Sequence, residues 1–376
     1  MSMNEAIYSP GLEGVIAGET SVSTIEGGLL YRGYRVEELA EHGSFEETAY
    51  LLLHGDLPTA EELTHFQERL AEAAEETSNT IIEMLRSIPA EADAMDVVRT
   101  GASLLAHWDP EVDNNSHDAN IRKAERLLAQ LPVLVAARQR LLAGKEPVGP
   151  DSSLGLAANF LNMLNRKEPS ERMVRALDVS LVLYAEHEFN ASTFAARVVA
   201  STLADLHSAI TAAIGALKGP LHGGANERVL SVLQEVGTSD KAEAWVRNAF
   251  ENKVRIMGFG HRVYKNGDPR AVFLKTLCGE LAVETDHEDM ERMAEVIENI
   301  VRNEKHLPPN LDWPSARLYH YMGLPVELYT PLFVISRVTG WSAHVIEQLD
   351  NNRLIRPRSR YVGHTSRPWV PVDDRR

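Results

Sequence analysis

From Ser44 onward, apolar residues recur at helical spacing, and no stretch alternates with the period of two that a sheet core requires. That regularity confines the chain to an all-α architecture. Ser44 with Glu47, and Thr59 with Glu62, form two capping boxes; Leu63, Phe66 and Leu70 follow the second at core intervals. Further helices are predicted from Asn120 to Leu142, Leu154 to Leu164, Met173 to Tyr184, Asp240 to Asn252 and Asp289 to Arg302. A final helix opens with Thr330 as cap and Pro331 at its first position, and runs past Arg337 to Gln348. Only Gly28 to Tyr34 reads as a short β-like piece. At 376 residues the chain exceeds one typical core. Gly/Pro punctuation at 219–224 and 323–331 divides it into a large domain (1–220 and 326–376) and a smaller inserted one (221–325).

The net charge of −16 is unevenly placed. The first hundred residues hold 20 acidic and 5 basic side chains, whereas the last 24 carry seven arginines against two aspartates. An acidic chain repels nucleic acid and anionic lipid, so neither is an expected partner. No apolar run is long enough to span a bilayer, and the N-terminus lacks the basic-then-apolar pattern of a signal peptide. The single cysteine, Cys278, excludes an intramolecular disulfide and a cysteine-built zinc site, and fits a reducing cytoplasm.

Three stretches could carry chemistry. In Lys218-Gly219-Pro220-Leu221-His222-Gly223-Gly224-Ala225-Asn226 a helical stripe (Leu203, Leu206, Ile210, Ile214, Leu217) stops at Gly219-Pro220. Asn226 is expected to cap the next helix, which runs through Val229, Leu230 and Leu233. A histidine beside a helix N-terminus favours an anion or a neutral, donating imidazole; the plain alternative is a surface loop with an incidental histidine. A second glycine-flanked histidine lies in Gly258-Phe259-Gly260-His261-Arg262-Val263-Tyr264-Lys265, which continues to Asp268-Pro269-Arg270. It is not a dinucleotide fingerprint, because the third glycine would fall at Val263. His187-Glu188 lacks the second histidine of a zincin, so metal catalysis is not expected. The third stretch holds Asp312 between Leu311 and Trp313, hemmed by prolines. A stiff apolar setting raises a carboxylate's pKa and makes it a better base, while a helix cap is the ordinary use of such an aspartate. Together these residues suit carbon-acid chemistry on an anionic substrate: a carboxylate removes a proton next to a carbonyl, an imidazole stabilises the enolate oxygen, and arginines hold carboxylates.

At the level of longer blocks the chain resembles the citrate synthase family over nearly its whole length. The blocks are Glu186-His187-Glu188-Phe189-Asn190-Ala191-Ser192-Thr193, Gly219 to Asn226, Met257 to Lys265, Pro309-Asn310-Leu311-Asp312, and Thr330-Pro331-Leu332-Phe333 leading to Arg337, Gly340-Trp341 and Arg353-Leu354-Ile355-Arg356-Pro357. The resemblance implies a helical homodimer, each subunit with a large and a small domain and the active site between them. It implies condensation of acetyl-CoA with oxaloacetate and thioester hydrolysis to citrate and coenzyme A. Asp312 would be the base, His222 the donor to the thioester oxygen, and His261 the group that polarises and protonates the oxaloacetate carbonyl. His187, Arg270 and Arg337 would hold the oxaloacetate carboxylates, with Arg356 reaching into the neighbouring subunit's site. Lys265 and Arg255 would lie near the coenzyme A phosphates; coenzyme A enters as part of the substrate, and no permanently bound cofactor is expected.

Leu311, Trp313 and the Tyr361-Val362-Gly363 tail also resemble the 2-methylcitrate synthase branch, which uses propionyl-CoA; acetyl-CoA is the favoured donor and propionyl-CoA the alternative. An inactive helical scaffold on the same fold is the rival from another class, and it would have no need of His222, His261 and Asp312 together. The synthase-like part begins almost directly at Gly11-Leu12-Glu13-Gly14, so a cytoplasmic dimer without the extra segment of NADH-sensitive relatives is expected.

Overall fold

The computed structural model describes residues 8–261, 264 and 267–375. Sixteen α-helices and one three-stranded antiparallel sheet are present among them. The sheet comprises the two-residue strands Ser23–Thr24, Leu30–Tyr31 and Tyr34–Arg35; the second lies inside the β-like piece expected at Gly28 to Tyr34, the third at its end, and the first before it. Both capping boxes form: Ser44 opens the helix Phe45–His54, and Thr59 the helix Ala60–Glu75. No helix among the described residues is long and apolar enough to cross a membrane.

The helix Tyr329–Asp350 is buried along almost its whole length, and the fold gathers around it. It buries polar side chains, Arg337 and His344 among them, along with its apolar ones, and so presents almost no solvent face. The helices His117–Leu142, Ala191–Ala200, Phe45–His54, Glu171–Tyr184 and Leu206–Leu217 pack against it. The helices Ala225–Val236, Ala242–Glu251, Pro269–Glu284, Glu288–Lys305 and Asp312–Tyr321 pack largely on one another, and Pro269–Glu284 also rests on Glu171–Tyr184.

Three helix starts differ from the expectations. The central helix begins at Tyr329, so Thr330 lies inside its first turn; its hydroxyl donates to Glu227 across the fold instead of capping. The helix after the His222 loop starts at Ala225 with Gly224 as its cap, because only the glycine takes the required left-handed backbone (φ +71°). Asn226 sits one position inside, its Oδ1 accepting from the next amide. Leu203 is not part of the helical stripe: Asp205 caps the helix Leu206–Leu217, and Leu203 is exposed with positive φ.

Close approach of the central helix to the segment before His187 depends on Gly340. A Cβ there would stand 2.2 Å from Glu186 Oε2 and 2.3 Å from the Ala185 carbonyl oxygen. A helix-interior glycine ordinarily costs stability relative to alanine, by about 1 kcal/mol. Here overpacking reverses the sign: Gly340→Ala is expected to lose about 1–3 kcal/mol, read as a lower urea midpoint. An unchanged or higher midpoint would contradict this contact.

Candidate active site

Two loops that are remote in sequence are zipped together. Phe259 and Pro309 form an antiparallel bridge, Gly260 N–H donates to the Pro308 carbonyl (2.8 Å), and Asn310 N–H donates to the Gly258 carbonyl (2.9 Å). The Asn310 side chain completes the seam, donating to the Gly260 carbonyl at 2.9 Å and accepting from Asp312 N–H at 3.1 Å. The pairing is antiparallel, so the chain runs on to His261 from one end of the seam and to Asp312 from the other, and Asn310, bonded to both Gly260 and Asp312, ties the two backbones together. The His261 ring stacks on Tyr264 (centroids 4.6 Å apart, 26° between planes). Tyr264 N–H donates to His261 Nδ1 at 3.2 Å, which puts the proton of the neutral ring on Nε2. His187 lies edge-on to His261 at 5.4 Å, and its Nε2 is 3.1 Å from the Tyr264 hydroxyl. Burial, then Arg270, Arg337 and His261, hold the His187 pKa well below the usual imidazole range.

His222 occupies the break between Leu206–Leu217 and Ala225–Val236, a turn so tight that a Cβ on Gly223 would stand 2.2 Å from the Leu217 carbonyl oxygen. Arg228 pins this turn by donating to the Pro220 and Gly224 carbonyls at 2.7 and 3.2 Å. Ser192 N–H donates to His222 Nε2 (3.2 Å), and the Ser192 hydroxyl lies 2.8 Å from the same nitrogen. A backbone amide is only a donor, so Nε2 is the acceptor and the proton of the neutral ring sits on Nδ1. Ser192 is itself held by Trp341 Nε1 (3.0 Å) and by Asn190, the cap of the helix Ala191–Ala200. Burial, reinforced by Arg337, lowers the His222 pKa to about 4, so the ring is a neutral donor at physiological pH.

The two arginines are almost fully buried, Arg270 at 5% exposure and Arg337 at 2%. Asp268 caps the helix that begins at Pro269, and its carboxylate grips Arg270 through two bonds of 2.9 Å. Burial disfavours the Arg270 charge, but Asp268 more than offsets this and holds the guanidinium above its ordinary pKa. Asp268 Oδ2 also accepts from Leu311 N–H at 3.2 Å, tying the pair to the Asp312 loop. Arg337 donates Nε–H to the Tyr184 carbonyl (2.7 Å). Burial lowers its pKa, and Glu186 works against that shift. Glu186, fully buried, accepts from Ser23 Oγ at 3.0 Å and contacts His344 Nε2 at 2.8 Å. Asp312 opens the helix Asp312–Tyr321 but spends no carboxylate oxygen on capping: Tyr184 donates to its Oδ1 at 2.9 Å. Burial raises its pKa, and the Tyr184 bond and Arg270 hold it back.

The structure thus gathers His187, His222, His261, Arg270, Arg337 and Asp312 through shared partners, chiefly Tyr184, Tyr264 and Arg337 itself. It does not bring Arg356 to them: that residue is exposed, in the irregular stretch between the central helix and a 3-10 turn at Val372–Asp374, and makes no hydrogen bond or ion pair among the described residues. Arg255 lines a cavity of about 620 Å³ that also reaches Lys253, Lys305, Phe259 and His261. Lys265 lies outside the described residues. Among the described residues, no group of three or more His, Cys, Asp or Glu could hold a metal ion. Tyr184, Tyr264, Ser192 and Asp268 were not singled out from the sequence. For Asp268 a signal existed, since Asp-Pro-Arg places a capping carboxylate where the arginine two residues on can fold back to it.

The profile described as "Citrate synthase, C-terminal domain" matches residues 11–358. Citrate synthase 2 of Bacillus subtilis is 50% identical over 367 residues, covering 97% of this chain and 98% of the relative. 2-Methylcitrate synthase 2 of Corynebacterium glutamicum is 46% identical over 373 residues, covering 97% of each chain. Among solved structures, the ternary complex of carboxymethyl coenzyme A and oxaloacetate with citrate synthase from Thermoplasma acidophilum superposes with a TM-score of 0.92. It is 35% identical and covers 98% of this chain and all of that one.

The depressed histidines make stability pH-dependent. In the unfolded chain His187 and His222 take up protons near pH 6.5; in the native state they resist until far lower, about 4 for His222. The unfolded state then binds more protons, so stability falls as pH drops from about 6.5 toward 4. Thermal midpoints across that range should decline, and His222→Gln should flatten part of the decline. An equally steep decline in the variant would count against the His222 contribution.

Proposed function

The chain belongs to the citrate synthase family, an acyltransferase family, and on that premise we propose that it condenses acetyl-CoA with oxaloacetate. Asp312 takes a proton from the acyl α-carbon. The Nδ1–H of His222 donates to the thioester oxygen as negative charge develops there, and the Nε2–H of His261 polarises the oxaloacetate ketone and protonates its oxygen as the carbon–carbon bond forms. Arg270, Arg337 and His187 hold the oxaloacetate carboxylates. Hydrolysis of the thioester then releases citrate and coenzyme A. The observation that supports this reading most is the Nδ1–H tautomer of His222, fixed by Ser192 N–H, with the Asn310 tie between the His261 and Asp312 loops second.

Acetyl-CoA as donor is supported by the Bacillus subtilis relative at 50% identity. Propionyl-CoA is the second reading, favoured by the Corynebacterium glutamicum relative at 46%. One methylene in an apolar pocket is worth only about 1–3 kcal/mol, so few residues decide between them. Coenzyme A enters with the substrate, its phosphates meeting Arg255, which lines the cavity beside His261, and Lys265. We assign residues 221–325 as the smaller body that closes over oxaloacetate and excludes water, in line with the mutual packing of its helices. A homodimer, with Arg356 delivered to the neighbouring site, fits the exposure of that arginine and of Leu354, Tyr361, Val362 and Trp369 on the same extended segment. A cytoplasmic location fits the single, buried cysteine.

A thiol-release assay with oxaloacetate should give a larger kcat/KM with acetyl-CoA than with propionyl-CoA; the reverse order would make it a 2-methylcitrate synthase. Asp312→Asn should still bind oxaloacetate while condensation nearly stops, and undiminished turnover would remove Asp312 from its role. Mixing Arg356→Ala and Asp312→Asn chains should restore activity to a fraction of the dimers. No recovery would argue against a shared site.

A further inference from the structure

Asp312 has one oxygen occupied and one open. Tyr184, at the end of the helix Glu171–Tyr184, donates its hydroxyl proton to Oδ1 at 2.9 Å. No other hydrogen bond among the described residues reaches the carboxylate, so Oδ2 accepts none. The Tyr184 oxygen is also 2.8 Å from Ser315 Oγ. Tyr184 has one proton and gives it to the carboxylate, so Ser315 is the donor in that second contact, and the three groups form a directed chain from Ser315 through Tyr184 to Asp312. The ring itself is fixed by burial and by Phe333, whose centroid lies 4.7 Å away. The carbonyl of the same residue holds Arg337.

We propose that Tyr184, backed by Ser315, is the positioning residue of the base: it engages Oδ1 of Asp312 and leaves Oδ2 to receive the substrate proton. This rests on the reading of Asp312 as base. In that step the α-carbon–hydrogen bond breaks and the proton passes to Oδ2. The electron pair forms the carbon–carbon double bond of the enolate, with charge moving to the thioester oxygen. The Tyr184 bond performs two tasks. It fixes the carboxylate plane, and it favours the ionised form against the burial that opposes it. Burial and the facing Asp312 keep the Tyr184 hydroxyl protonated, so it remains a donor throughout the working pH range. The other charged or titratable groups facing Asp312 are Arg270 and Asp268 from the start of the helix Pro269–Glu284, Arg228 from Ala225–Val236, and Tyr319 from its own helix. All remain in place when Tyr184 or Ser315 is changed.

The test is the pH dependence of kcat/KM in the full-length enzyme. Tyr184→Phe keeps the ring packing and removes only the donor. Its ascending limb should move up by about one to two pH units, the size of one hydrogen bond to a charged group. kcat at pH 7 should fall at least tenfold, with KM for oxaloacetate unchanged. Ser315→Ala should move the limb the same way by a smaller amount, and it decides the matter alone if Tyr184→Phe does not fold. A lower rate with an unmoved limb in both variants would reduce Tyr184 to a packing residue and overturn the proposal. Asp312→Asn, run in parallel, separates the two levels: if it still condenses, the base reading itself fails and this proposal goes with it. If it is inactive while both other variants keep the wild-type limb, only the positioning role is lost.

Discussion

Arg270 and Arg337 place two positive charges in the interior, where an uncompensated ion costs several kcal/mol, so the local structure is built to compensate them. The two solutions differ. Arg270 is clasped by Asp268 through a bidentate contact, which offsets the cost of burying its charge. Arg337 has no such clasp; its compensating carboxylate, Glu186, acts through space and is also engaged by His344 and Ser23. Both charges are still felt nearby: after burial, Arg270 and then Arg337 lower the His187 pKa, and Arg337 adds to the effect of burial on His222. A region that must be cationic toward a dianion and also keep its imidazoles neutral is served by burial together with these two charges.

Neutrality of the imidazoles has a structural counterpart in their tautomers. Ser192 N–H at His222 and Tyr264 N–H at His261 are backbone donors whose direction cannot reverse. Each fixes which nitrogen carries the proton, Nδ1 in one ring and Nε2 in the other. For the proposed condensation this means that both rings meet the substrate as donors of defined geometry, with no cost of reorganisation as charge develops. The positioning chain proposed at Asp312 follows the same logic with a side-chain hydroxyl in place of an amide.

Elements that rest on local interactions were legible in the chain. The capping boxes at Ser44 and Thr59 are closed within four residues, and both formed. The amphipathic run from Asp289 to Arg302 lies inside the helix Glu288–Lys305 for the same reason, since a helix face is set by neighbours three and four positions away. Where a local cue met a tertiary competitor, it lost. Thr330 had the composition of a cap, but Glu227, remote in sequence, took its hydroxyl. Asn226 was displaced from the cap position because the turn needed a left-handed residue, which Gly224 supplied.

The sequence by itself determined the helical class, the family, and the short blocks in which the candidate residues reside, because periodicity, capping and block order are properties of contiguous residues. Only the tertiary structure decided that the 258–261 and 308–312 loops share a seam, that Glu186 serves as counter-charge to Arg337, and that Tyr184 meets Asp312. Those relations join side chains that are tens to more than a hundred residues apart. Such pairings depend on how helices pack around Tyr329–Asp350, and no local preference encodes them.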